Sequence, residues 1–161
     1  MIWRPTLGFT FAHPAHFIAL GFGTGLAPVA PGTVGTLLAF PLYLLLEAWL
    51  PPLSVFGVIV ILFGIGVWAC ERTGRDLGIS DHSGMNWDEV VAMLLVLLLS
   101  PADWAWRGFA FFAFRAFDVV KPPPIRYIDR TVKGGFGVMA DDILAAFYTL
   151  LVIALARQFI G

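Results

Sequence analysis

Along this chain, long stretches without any charge alternate with short segments in which charges crowd together. Residues 5–46 contain no Asp, Glu, Lys or Arg, and neither do residues 48–70. Apolar runs of this length predict helices that cross a bilayer, because roughly 20 apolar residues at about 1.5 Å rise each span its hydrocarbon core. Turn residues cut the pattern into four to five hydrophobic helices. The first is predicted over 33–50, with Pro41 as a kink, and the second over 53–70, after the turn "PPLS". A polar segment, 71–89, precedes a third helix that ends near Ser100. "SPADW" opens a fourth helix, ending before "KPPP", and a basic loop, 121–133, leads to a fifth near 138–160. Residues 14–28 are apolar, short and glycine-rich, and predict a re-entrant or interfacial helix. The expected fold is an all-α integral membrane bundle, one domain over 1–161, with a short N-terminal apolar segment.

Composition narrows the class further. The chain is 59% hydrophobic and 13% charged, about half the charged share of a soluble domain. A net charge of −1 gives no basic surface for nucleic acid. The single cysteine, Cys70, excludes an internal disulfide and a thiolate metal cluster. The N-terminal "MIWRPTLGFTFAHPAHFIALGFG" has one Arg, early prolines and no small-residue cleavage site, so it is expected to be retained.

Under this topology Arg4, Arg72, Arg75, Arg115, Lys121, Arg126, Arg130 and Lys133 fall toward one side, and only Arg107 and Arg157 toward the other. The bias places the polar segment and basic loop in the cytoplasm. The acidic residues follow: only Glu47 and Asp103 lie on the opposite side. Helix length then positions the carboxylates. Residues 90–100 are too few to span, so the third helix is expected to recruit Trp87, Asp88 and Glu89; the fifth is likewise expected to recruit Asp141 and Asp142. Both pairs would then sit at headgroup depth, where a phospholipid carries its phosphate.

Bare carboxylates repel a phosphate, but with a hard divalent cation between them they bind one, and oxygen ligands suit Mg²⁺. Candidate ligands are Asp88, Glu89, Asp141 and Asp142, with Asp118 as a further carboxylate. The alternative is that acidic pairs merely solvate helix N-termini, where negative charge is favourable by about 0.3–1 kcal/mol. Two pairs on one face, joined by Asp118, favour the cation. Arg115 and Asp118 are three apart and share a helix face, either as part of the site or as an ion pair bracing the bundle. Lys121 and Arg130 are candidate phosphate clamps, whereas Arg126 and Lys133 read as ordinary cytoplasmic positive charges. Asp129 is placed to orient a loop cation. Thr33 is read most simply as a helix N-cap, with its hydroxyl as a candidate substrate contact. Glycines in "GFGTGLAPVAPGTVGT" serve either an anion at a helix start or close helix packing. His82 is either a solvated loop residue or the proton donor to a leaving alkoxide. Trp87, His13 and His16 are read as interfacial.

Four blocks, "GFGTGLAPVAPGTVGT", "DHSGMNWDE", "FRAFDVVKPPPIRYIDR" and "GGFGVMADDILA", resemble in order the signatures of the phosphatidylglycerophosphatase A family of the bacterial inner membrane. The resemblance covers nearly the whole chain. It implies an all-helical, Mg²⁺-dependent phosphatase acting on phosphatidylglycerophosphate, a phospholipid substrate in the membrane. It implicates Asp81, His82, Trp87, Asp88 and Glu89; then Arg115, Asp118, Lys121, Pro122, Pro124 and Asp129; then Gly134, Gly135, Gly137, Asp141 and Asp142. The residues between His82 and Trp87 read as the freest. On this reading Asp88, Glu89, Asp118, Asp142 and His82 carry the chemistry, while Arg115, Lys121, Arg130 and Thr33 hold the phosphate.

Other phosphatase chemistries lack their residues. A thiol phosphatase needs Cys, five residues, then Arg, and Arg75 follows Cys70 one position too early. No Asp-x-Asp occurs for a phosphoaspartyl enzyme, and three histidines, two of them in the apolar N-terminal region, do not supply a histidine phosphatase. The rival from another class is a small transporter or channel, which predicts charges spread through the depth of the helices and often inverted repeats. Neither is visible. A phosphatase for a different lipid phosphate is the remaining alternative.

Overall fold

The structure is a computed structural model, and it describes residues 4–160. Residues 1–3, the head of the segment expected to be retained, lie outside them. Helices make up the ordered elements, and no strand occurs among the described residues. Residues 14–28, expected as one re-entrant or interfacial helix, form a short helix and a 3₁₀ turn, and another short helix precedes them. In α1 (Leu7–Ala12) the Thr6 hydroxyl accepts the Phe9 N–H at 3.2 Å. In α2 (Pro14–Ala19) Pro14 opens the first turn and the His13 ring accepts the Ala15 N–H at 3.0 Å. The 3₁₀ segment Gly21–Leu26 then turns sharply through Phe22 and Gly23, both at positive φ.

Five apolar helices follow. α3 (Pro31–Trp49) starts at a proline after a left-handed Ala30, so Thr33 lies in its first turn and is not the N-cap. α4 (Pro52–Leu77) runs seven residues past Cys70 and stops at Gly78, which takes the left-handed φ of 71° that ends many helices. α5 (Trp87–Leu99) begins where the length argument placed it. α6 (Trp104–Val120) is capped by Asp103, whose carboxylate accepts the Ala105 N–H at 2.8 Å. The expected basic loop contains a short helix, α7 (Ile125–Thr131), and α8 (Gly134–Ile160) closes the chain.

Three of these helices, α3, α4 and α8, are long and apolar enough to cross a membrane. With 13 residues, α5 covers only about 20 Å. Ten of those residues are buried, including Val90, Met93, Leu94 and Leu97, so α5 is apolar all round and packs on α3, α4 and α8. It is the core of the bundle. In lipid, apolar area alone does not drive helices together, and close approach of small residues does. α4 and α8 meet in this way: a Cβ on Gly135 would strike the backbone at Val67 and Glu71, and one on Gly66 would strike Met139 and Trp87. Trp87 is therefore a core residue, 3% exposed, with its indole N–H donating to the Leu62 carbonyl at 3.2 Å, and it is not an interfacial anchor. His16 is likewise buried, bonded through Nε2 to Asp76 at 2.8 Å, and ties α2 to the end of α4.

Candidate active site

The short connections reverse direction at each turn, so the N-terminal ends of α3, α5 and α8 and the C-terminal ends of α4 and α6 share one end of the bundle. There a cavity of about 260 Å³ is lined by Asp81, Asp88, Glu89, Asp118, Asp141 and Asp142, with Arg115 and Lys121 as the cations. Six carboxylates face two cations.

Local sequence explains each position. Asp88 and Glu89 lie in the first turn of α5, held by Asn86 immediately before it. Asn86 is fully buried; its side-chain amide donates to the Thr24 hydroxyl at 3.0 Å and to the Pro31 carbonyl at 2.8 Å. Its own N–H donates to the Ala19 carbonyl at 3.0 Å. One residue thus locks the acidic turn of α5 to the 3₁₀ segment and the start of α3. Between His82 and Trp87, Ser83 is exposed, whereas Gly84 packs closely: its carbonyl occupies the space a Cβ on Gly25 would need. Gly32 and Gly35 serve close approach, since a side chain on either would meet Glu89 or Asn86 respectively.

The α8 pair sits differently from its appearance in sequence. α8 begins at Gly134, where Glu71 accepts the Gly135 N–H at 2.7 Å, and its first turn holds no acid. Asp141 and Asp142 therefore lie two turns inside the helix, 3% and 2% exposed. Helix-end electrostatics fade within the first turn, so solvation of an N-terminus does not account for them.

The carboxylates form two overlapping groups. Oxygens of Asp88, Asp141 and Asp142 lie within 4.8 Å of one another, as do those of Glu89, Asp118 and Asp142. Asp142 belongs to both. Arg115 pairs with Glu89 at 3.1 Å and also with Asp118, so it is part of the cluster and not a separate brace. Lys121, at the left-handed C-cap of α6, donates to Asp129 at 2.7 Å and to Asp141. Burial opposes charge on Lys121, but its hydrogen bonds to Asp129 and Asp141 outweigh this and hold the ammonium well above the ordinary lysine range. Asp129 orients this cation, as its place in the loop suggested.

Three buried oxygens, Asp88 Oδ1, Glu89 Oε2 and Asp142 Oδ2, have no hydrogen-bond partner. Orphaned buried carboxylate oxygens are costly unless something positive meets them. A hard divalent cation bound by oxygens fits this donor set.

Other sequence candidates fall elsewhere. Arg130 is exposed and does not line the cavity. Thr33 is not among the lining residues either, although Ala30, Pro31 and Gly32 are, so the positive end of α3 faces the cavity as the glycine-rich block suggested. His82 is buried, its Nδ1 accepting the Gly84 N–H at 2.9 Å, and lines an adjoining cavity with Arg4 and Pro5. Two residues carry structural roles at the site that the sequence pattern does not assign: Asn86 and Glu71. The signal for Asn86 was its place directly before an acidic helix start, where such residues cap. Charges at the far end reduce to Glu47, Asp103, Arg107 and Arg157, and no ladder of charge runs between the two ends.

No solved structure matches the chain. It is 43% identical to the phosphatidylglycerophosphatase A of Escherichia coli over 83% of this chain and 78% of that protein. It is 40% identical to the enzyme of the same name from Haemophilus influenzae over 93% of both chains. A Bacteroides thetaiotaomicron protein, provisionally named a phosphatidylinositol-3-phosphatase, is 41% identical over 89% of this chain and 94% of its own length. The profile of phosphatidylglycerophosphatase A matches residues 17–157. With that match spanning the bundle and its acidic cavity, the chain belongs to the phosphatidylglycerophosphatase A family of phosphoric monoester hydrolases.

Proposed function

We propose that this protein hydrolyses the terminal phosphate of phosphatidylglycerophosphate to give phosphatidylglycerol and inorganic phosphate, with Mg²⁺ as cofactor, at the cytoplasmic face of a bacterial inner membrane. The observation that carries the reading is the set of three unpartnered, buried carboxylate oxygens around Asp142, set beside Arg115 and Lys121. The names of the Escherichia coli and Haemophilus influenzae relatives support the lipid. The excess of basic residues at the cavity end supports the orientation.

Asp88, Glu89, Asp141 and Asp142 would hold the cation, with Asp118 completing the second group. Mg²⁺ in such a site supplies Lewis-acid charge and lowers the pKa of bound water toward neutrality. The chain's own groups do the rest. Arg115 and Lys121 offer charge-assisted donors to the phosphate oxygens, and their carboxylate partners hold them aimed into the cavity. Free N–H groups at the start of α3 add positive potential. The proton for the leaving glycerol oxygen falls to Asp81, which lines the cavity where its neighbour His82 does not.

The test is phosphate release from phosphatidylglycerophosphate by purified protein, in Mg²⁺ and in chelator, with phosphatidylinositol 3-phosphate in parallel. Release that needs Mg²⁺ and favours phosphatidylglycerophosphate supports the proposal. Full activity in chelator overturns the metal assignment. A preference for the inositol lipid selects a second reading, which the name of the Bacteroides relative favours.

A further inference from the structure

The cavity holds a phosphorylated headgroup, but about 260 Å³ leaves no room for two acyl chains. The chains of a membrane-embedded substrate must therefore leave sideways, and one seam of the bundle suits them. α3 packs on α5, and α6 packs on α8, while α3 and α6 do not pack along their lengths. Their facing rows follow from helical spacing. On α3 the row is Thr33, Phe40 and Glu47, seven apart; on the antiparallel α6 it is Arg107, Phe111, Arg115 and Asp118. At the far end the buried Arg107 guanidinium clasps the Glu47 carboxylate at 3.0 and 3.1 Å. Midway the Phe40 and Phe111 rings meet, their centroids 6.2 Å apart. Below that contact, on the cavity side, Thr33 faces the level of Arg115 and Asp118, about 10 Å along α3 from Phe40.

We propose that this seam is the lateral entrance for the substrate. The phosphate lies among the carboxylates, and an acyl chain passes out between α3 and α6 below the Phe40–Phe111 contact, where Leu37 lies beside the row and is 50% exposed. Arg107 and Glu47 hold the two helices at a set spacing without closing the cavity end. This account explains an ion pair at the far end of the bundle that the chemistry does not use, and it gives Thr33 a place beside the substrate path instead of in the phosphate site. It rests on the proposed lipid phosphatase activity.

The test uses the sole native thiol's burial: Cys70 is fully buried, so an introduced cysteine is the one alkylated. Leu37→Cys is treated with a bulky alkyl maleimide, and Leu151→Cys on the outer side of α8, 56% exposed, serves as control. Alkylation is expected to lower phosphatidylglycerophosphate hydrolysis about tenfold or more at position 37 and to leave it within about twofold at 151, a difference of about 1 kcal/mol or more. Full activity after complete alkylation at position 37 overturns the entrance. Independently, unmodified protein is labelled with a phosphatidylglycerophosphate carrying a diazirine midway along one chain. Label that unlabelled substrate displaces is expected on α3 and α6; displaceable label confined to α4 or the outer face of α8 also overturns it. Protein that binds and is labelled but releases no phosphate from this lipid would defeat the functional reading instead, leaving the seam to be judged by where the label falls.

Discussion

Asp142 is the side chain whose removal distinguishes a metal site from a structural acidic cluster most sharply, because activity and stability should move in opposite directions. Its carboxylate belongs to both groups, so it has four carboxylate neighbours, Asp88, Asp141, Glu89 and Asp118, with ligand oxygens within 4.8 Å in each group. Two like unit charges at that separation repel by about 3–4 kcal/mol at an effective dielectric of about 20. The nearby Arg115 and Lys121 offset part of this, so Asp142→Asn should make the metal-free protein more stable by about 1–3 kcal/mol. At about 2–4 °C per kcal/mol, that is a rise in Tm of several degrees in chelator. With Mg²⁺ the order should reverse. A cation at about 100 times its Kd stabilises the wild type by about 2.7 kcal/mol, and the variant, lacking the shared ligand, should gain little. Hydrolysis should fall about 10³-fold or more, comparable to losing a principal transition-state charge partner. Thermal melts of detergent-solubilised protein in chelator and in Mg²⁺, beside phosphate release, read all three quantities. A variant less stable than wild type in chelator, or one that keeps the Mg²⁺-induced shift, would show that Asp142 is not the shared ligand of a metal site.

Gly32→Ala places a methyl group against the Glu89 carboxylate, and should cost about 1–3 kcal/mol and most of the activity; Gly57→Ala, exposed with open space around it, should change stability by less than about 1 kcal/mol in the favourable direction. Melts of the two variants check the contrast, and equal effects would deny that Gly32 is selected for approach to Glu89. Arg115→Lys keeps the charge but loses the planar guanidinium whose Nη1 reaches both Glu89 and Asp118 and whose other N–H groups remain to meet phosphate oxygens, and should slow hydrolysis about 10²-fold in steady-state assays. Asp81→Asn should slow lipid hydrolysis by about 10²-fold but have much less effect on a nitrophenyl phosphate, whose leaving group needs no proton. His82→Gln should stay within about tenfold of wild type on both, and a larger loss confined to the lipid would return the acid role to the histidine.

Much of this architecture is written in one-dimensional pattern, and the remainder depends on contacts between distant segments. Charge-free runs and turn residues locate the five apolar helices, because helix length and hydrophobicity are local properties. The reasoning that a short apolar run must recruit Asp88 and Glu89 places the start of α5 correctly. Its premise, a full membrane span, does not hold: α5 is a 13-residue core helix enclosed by its neighbours. That enclosure is invisible locally, and it also decides the errors at Trp87 and His16, whose partners Leu62 and Asp76 lie 25 and 60 residues away. Thr33 and Arg130 have suitable chemistry near the right segments, and only the register of α3 and the course of α7 show that neither lines the cavity.

The short central helix also accounts for how the site exists at all. A carboxylate buried in a bilayer is costly, and a bundle of full-length spans would carry acids at helix ends out to the polar boundary, where water meets them. Here α4 and α8, at 26 and 27 residues, extend about 40 Å, twice the reach of α5. With α5 drawn in between them, its first-turn acids Asp88 and Glu89 come level with Asp141 and Asp142 two turns inside α8, and with Asp118 near the end of α6. Acids that each helix alone would leave apart are thereby concentrated in a single pocket at one end of the bundle. Asn86 holds that depth by tying the head of α5 to Thr24 and Pro31. Asn86→Ala should therefore lower Mg²⁺ affinity without removing a single ligand, and Mg²⁺ titration of its melting temperature against wild type decides the point: unchanged affinity would mean that the depth of α5 is set by its apolar packing alone.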